Sequence, residues 1–255
     1  YWQQNVNWSQ VASDNVQFAM LATRFRGNVD PFFAMNAANA SQAGLRLGAY
    51  IYSYATSVEM AQQEADFVLN LIKDYPISFP VVFDAEDANT LGTLTQSQVS
   101  DVINAFCKRI QDAGYYPMVY ANEYWIANKI DMSKISYDIW VAKYQQKYTY
   151  SKTSMWQASN TGSVKGVNGN VDIDYLYKDY TQIIPGNTWR TIAGNRYYYQ
   201  NHVMQKAAWI NDGQNWYYMN AAGNPSKGWL ELSGKKYYLE ADGHMITGWK
   251  TLDGG

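Results

Sequence analysis

The chain has 255 residues, a formal net charge of −2 and a single cysteine. That length gives room for one large domain or two modest ones, the charge argues against a nucleic-acid or polybasic membrane role, and the lone cysteine rules out an internal disulfide framework. No apolar run reaches membrane-spanning length, so no membrane insertion is expected. Residues 16–23 (VQFAMLAT) then read as a strand and residues 31–43 as a helix, with Gly44 as its stop. Residues 45–54 (LRLGAYIYSY) return as a strand. Residues 57–75 follow as a helix with Ala61, Ala65, Val68, Leu69 and Ile72 on one face.

Next comes the stretch 80–87 (PVVFDAED), an apolar run ending in three carboxylates within four positions. An apolar run of this kind reads as a buried strand. Burying one carboxylate costs roughly several kcal/mol unless it is paired or protonated, so acids at a strand end call for an explanation. Strand alternation puts Asp84 and Glu86 on the same side and Asp87 on the other. Two carboxylates converging at the C-terminal end of a strand is the layout of glycosidases, one raised in pKa as an acid and the other kept ionised. A solvated strand end with an incidental acidic cluster is the competing reading.

Thr95 and Gln98 form a capping-box signature for a helix with the stripe Val99, Val102, Ile103, Phe106 and Ile110, ending at Gly114. Cys107 falls in the same apolar pattern and reads as packing. Residues 116–121, 138–142, 155–158 and 171–176 complete the strand series, with fewer and weaker helices between them. This order predicts an α/β fold with a parallel sheet, and seven or eight strands in about 180 residues favour an irregular TIM-like (β/α) barrel.

Beyond residue 182 the composition changes. Residues 183–188 have linker character, and then Trp189, Trp209, Trp229 and Trp249 recur every twenty residues. Tyr197-Tyr198, Tyr217-Tyr218 and Tyr237-Tyr238 follow their Trp by eight and nine positions, and Gly228 and Gly248 precede the next Trp. Each unit of residues 189–255 is expected to be a small β-hairpin, too small to bury its aromatics without a stacked neighbour, so the array forms a solenoid. The chain holds 23 Tyr and 10 Trp. Flat aromatic faces stack on pyranose rings and attract quaternary ammonium cations, and they also serve as packing.

Taken together, the order and spacing of these pieces resemble glycoside hydrolase family 25, the Chalaropsis-type lysozymes of phage endolysins and bacterial autolysins. The matching pieces are Tyr1-Trp2-Gln3-Gln4, Val6-Asn7-Trp8, Gly48-Ala49-Tyr50, Asp84-Ala85-Glu86, Tyr116-Pro117-Met118-Val119-Tyr120, Ile139-Trp140-Val141-Ala142-Lys143-Tyr144, Trp156-Gln157 and Gly169-Asn170-Val171-Asp172. The tail resembles choline-binding cell-wall repeats, most clearly over residues 228–249. The resemblance implies that residues 1–182 form a hydrolase barrel. Its activity would be that of a retaining N-acetylmuramidase, cutting the β-1,4 bond between N-acetylmuramic acid and N-acetylglucosamine in peptidoglycan glycan strands. It would work outside the cell, on the bacterial cell wall, as a secreted autolysin or a phage endolysin.

Carried over by position, Glu86 matches the general acid/base, Asp84 the carboxylate that orients the substrate's 2-acetamido group, and Asp172 an acid on the final strand. Asp174 stands where the family often has Asn. Tyr50, Tyr52, Tyr120, Trp140 and Trp156 are expected as groove aromatics, with core packing as the competing reading for the two tryptophans. No cofactor and no metal is implied. In the tail, Trp209, Trp216 and Tyr238 are the expected cage for a wall ligand such as the choline of a teichoic acid. Arg196 and Lys236 stand where the repeat pattern wants a Trp, and a cation there repels a quaternary ammonium.

The family usually opens with Asp-x-Ser on a first strand, and residues 1–8 read as the loop after one. An Asp three positions before Tyr1 is therefore expected, together with Tyr1 at the barrel mouth near Glu86 and Asp172. Without such an acid, the alternative is a catalytically silent wall- or glucan-binding protein. The Asp-x-x-Asp-x-Asp-x-Glu signature of chitinase-like enzymes does not occur around Asp84.

Overall fold

A computed structural model of the chain describes residues 1–144, 148 and 150–248, so the expected repeat residue Trp249 lies outside the described residues. The chain divides into two compact units, Tyr1–Pro185 and Gly186–Gly255.

In the first unit the apolar periodicities become elements close to where they are expected. The strands are β1 (Phe18–Ala22), β4 (Arg46–Tyr52), β5 (Ile77–Asp84), β6 (Pro117–Asn122), β7 (Asp138–Ala142), β8 (Thr153–Gly162) and β9 (Val171–Leu176). A small ribbon of β2 (Arg24–Phe25) and β3 (Asn28–Val29) follows β1. The helices are α1 (Trp8–Ser13), α2 (Phe33–Gln42), α3 (Val58–Ile72), α4 (Gln96–Asp112) and α5 (Glu123–Asn128). The capping box of α4 is present, with the Thr95 hydroxyl accepting from Gln98 N and the Gln98 side chain accepting from Thr95 N. These bonds satisfy two amide donors that the first helical turn leaves without partners. Gly114, at φ +87°, turns the chain out of the helix in a conformation that a side chain would disfavour.

Seven strands form one sheet in the order β1-β4-β5-β6-β7-β8-β9. Neighbours pair in parallel from β1 to β8, and β8–β9 is antiparallel. The expected parallel series therefore ends early: residues 163–170 join β8 to β9 without a helix, and a short connection can only return the chain antiparallel. The sheet curls into a half-barrel with β1 and β9 at its edges. Leu47 pairs with Ile77 but Ala49 pairs with Val81, so β5 bulges around Pro80, a residue with no N–H to give to a ladder.

One face of the sheet packs on the helices, as Phe83 does against Phe106 at 5.2 Å. The inner face carries Val82, Met118, Tyr120, Trp140 and Met155, which form one core cluster with Phe79, Tyr180 and Ile184.

The second unit is built from hairpins. β10 (Thr188–Ile192) pairs with β11 (Asn195–Gln200), to which β12 (Val203–Met204) is added; β13 (Ala208–Asn211) pairs with β14 (Trp216–Met219), and β15 (Gly228–Leu232) with β16 (Lys235–Leu239). Among the described residues no helix is long and apolar enough to cross a membrane.

Candidate active site

Asp84 is the last residue of β5, and the ladder sets it beside Tyr52 of β4 and Tyr120 of β6. Tyr120 in turn pairs with Trp140, and Gln157 of β8 with Asp174 of β9. Partners in register share a face, so strands far apart in sequence deliver their polar ends to one place. A cavity of about 690 Å³ there is lined by Tyr50, Asp84, Tyr120, Trp140, Asp172 and Asp174, among others. Tyr1 lines it too.

Asp84 is buried, and its Oδ1 is among the buried atoms that have no hydrogen-bond partner. Burial, and then the charge of Glu86, raise its carboxyl well above the usual range. Glu86 lies just beyond the strand, close enough for its charge to raise Tyr120 as well. Its Oε1 accepts from Asn122 N at 2.9 Å, and Asn122 Oδ1 caps α5 by accepting from Trp125 N. Burial raises the Glu86 pKa, and the bonds from Asn122 oppose that shift. Asp172 is raised by burial. Asp174 is pushed up to about 7 by burial, against the hydrogen bond it accepts from Trp140 Nε1 at 2.9 Å.

Two further residues, Gln157 and Tyr144, tie the walls together. Gln157 Oε1 accepts from both the Tyr120 and Tyr144 hydroxyls, at 2.8 and 2.9 Å. Neither Gln157 nor Asn122 stood among the residues picked out as chemistry. Gln157 follows Trp156 in a motif noted above, but what marks Asn122, a capping residue right after a strand, is visible only once α5 is in view.

Two expected groove aromatics are not among the residues lining this cavity. Trp156 has the opposite strand phase to Met155 and Gln157, which are buried; it packs against Tyr175 and Tyr148 and donates Nε1 to Lys143 O. Its side chain therefore points away from the cavity. Tyr52 turns its hydroxyl to Asp87 at 3.2 Å, while Asp87 also closes the following turn by accepting from Asn89 N and Thr90 N. Among the described residues, no set of three or more His, Cys, Asp or Glu is disposed to hold a metal ion.

In the hairpin unit the Trp209 ring meets Tyr218 at 5.4 Å and Tyr237 at 4.9 Å, and Trp216 is 45% exposed. Tyr238, expected in this cage, packs on Trp229 instead. Adjacent strand residues point to opposite faces, so of the Tyr pair it is Tyr237 that reaches Trp209.

A model of glycosyl hydrolases family 25 matches residues 1–167. The chain belongs to glycosyl hydrolase family 25. Residues 208–224 and 227–245 match a cell wall binding repeat. The uncharacterized protein YegX of Escherichia coli (strain K12) is 30% identical over 183 residues, 68% of this chain and 65% of that protein. Lysozyme M1 of Streptomyces globisporus is 29% identical over 189 residues, covering 68% and 64% of the two chains. The crystal structure of a bacterial lysozyme from Streptomyces coelicolor is 25% identical with a TM-score of 0.56, covering 72% of this chain and 91% of that one. The chain spans less than two thirds of the length of these curated relatives.

Proposed function

We propose that the chain is a peptidoglycan hydrolase, an N-acetylmuramidase of lysozyme type that acts on the bacterial cell wall and is held there by its C-terminal hairpins. The observation that carries this reading is Asp84 Oδ1, a buried acceptor without a partner in an aromatic-walled cavity, with Glu86 close enough for its charge to act on Asp84. A buried acceptor of this kind calls for a donor, and the N–H of a substrate acetamido group supplies one.

In this reading Glu86, whose carboxyl burial shifts toward the protonated form, protonates the glycosidic oxygen as the bond to C1 breaks. The acetamido oxygen, oriented by Asp84, attacks C1 from the other face to give a cyclic oxazolinium. Water then adds at C1 with Glu86 as base, so the configuration is retained. Asp172 is the further acid of the site, and Tyr50, Tyr120 and Trp140 shape the sugar subsites. The lysozymes among the relatives support the activity.

The wall ligand of the repeats is a quaternary ammonium such as choline, taken up by Trp209, Trp216 and Tyr237. Its site of action lies outside the cell, as for a secreted autolysin or a phage endolysin. The test is mass spectrometry of the fragments released from purified walls. Muropeptides with N-acetylmuramic acid at the reducing end are expected. Binding without release would instead favour a silent wall-binding protein.

A further inference from the structure

The first hairpin, β10–β11, lies outside the stretch that matches the cell wall binding repeat, yet it repeats the geometry of the second. Trp189 pairs across the ladder with Tyr198 as Trp209 does with Tyr218, and Arg196 and Trp216 stand two residues before those tyrosines on the same face. The ring of Trp189 meets its own Tyr198 at 5.1 Å and 67°, and Tyr217 of the next hairpin at 4.9 Å and 74°. For Trp209 the corresponding values are 5.4 Å and 67° to Tyr218, and 4.9 Å and 63° to Tyr237. Two successive aromatic frames of one shape are therefore present.

What differs is the seventh position after the Trp. In the first frame the Arg196 guanidinium carbon lies 4.1 Å from the centroid of the Trp189 ring, and Nη1 donates to Asp242 O at 3.3 Å. Trp189 Nε1 donates to Asp212 Oδ2 at 3.1 Å. A carboxylate on the indole N–H makes the ring face more negative and strengthens its hold on a cation. In the second frame the residue corresponding to Asp212 is Leu232.

We propose that Arg196 is the built-in occupant of the first inter-hairpin site, a tethered cation seated where the second site takes a free one. A tethered group competes at an effective concentration on the order of millimolar or above, so a soluble ammonium ligand is kept out. Among the described residues the array then offers one open site, at Trp209, and Arg196 is the residue that limits the ligand count. This rests on the reading of the Trp209 frame as a quaternary ammonium site.

Calorimetric titration of the full chain with choline, and with tetramethylammonium as a second probe, tests it. The parent should bind one equivalent, lost in Trp209→Ala. Arg196→Gln should double the stoichiometry, and the added equivalent should survive Trp209→Ala and disappear with Trp189→Ala. Arg196→Lys, which keeps the cation, should stay at one. In the parent, choline should shift the indole N–H resonance of Trp209 and leave that of Trp189 in place. Two equivalents on the parent, or none gained in Arg196→Gln, overturns the proposal. A parent that binds nothing while Arg196→Gln gains one equivalent sinks the Trp209 reading and leaves this one standing.

Discussion

In the barrel, Tyr120 and Trp140 are 8% and 4% exposed and their polar atoms are held by Gln157 and Asp174; in the hairpins, Trp216 and Trp229 are 45% and 66% exposed. The same residue types do different jobs because of what surrounds them. Buried rings lower the local polarity and push neighbouring carboxyls toward their neutral forms, which suits proton transfer. Half-exposed rings leave a face for a ligand that must come and go, which suits anchoring on a polymer. On the proposed function, chemistry falls to one unit and reversible contact to the other.

The largest effect should come from the barrel. Glu86→Gln should keep the fold and wall binding but lose on the order of a thousandfold or more in rate, the scale of removing a general acid; near-normal release of muropeptides would remove Glu86 from the mechanism. Next comes Asp174, whose pKa is raised from 3.8 to about 7 on folding. A raised carboxyl pKa contributes stability that is full below the unfolded value and is lost as pH climbs through the folded one, so the parent should weaken between about pH 4 and pH 7. Asn at this position still accepts from Trp140 Nε1 without a charge. Asp174→Asn should therefore melt like the parent at low pH and above it at about pH 8. A lower melting temperature at the alkaline end would mean that the ionised form is the favourable one.

Hairpin changes should act on binding and leave the rate on soluble fragments alone. Trp209→Ala should weaken wall retention by roughly 1–2 kcal/mol, about 5- to 30-fold, if a cation is held against its ring. Retention that ignores both this change and millimolar choline would point to a different wall component. The smallest effect is structural: Thr95→Ala removes the α4 cap and should cost about 1 kcal/mol in unfolding free energy, with the hairpins untouched.

Much of this division can be read along the chain. The α4 stripe and its capping box, the strand ending at Asp84 and the twenty-residue aromatic period are local patterns, and local patterns are what a sequence displays directly. Trp156 and Tyr238 were harder for a shared reason. Each sits in a strand whose partner decides which face is inward, and a one-residue change of phase reverses the outcome. Asn122 and Gln157 matter through bonds to Glu86 and Tyr120, 36 and 37 residues away in sequence, and nothing local announces such a bond.

Ladder spacing also sets a timetable. Trp209 pairs with Tyr218 nine positions on, whereas Phe18 must find Arg46 and Tyr52 must find Asp84 across whole helices. Closing a hairpin takes roughly 1–10 microseconds, and sheets joined by distant segments form far more slowly because loop closure must come first. During refolding of the full chain, pulse-labelled hydrogen exchange should find the amide of Tyr217, the ladder partner of Ile210, protected well before that of Asp84. The chain would then be able to grip a wall before it is able to cut one.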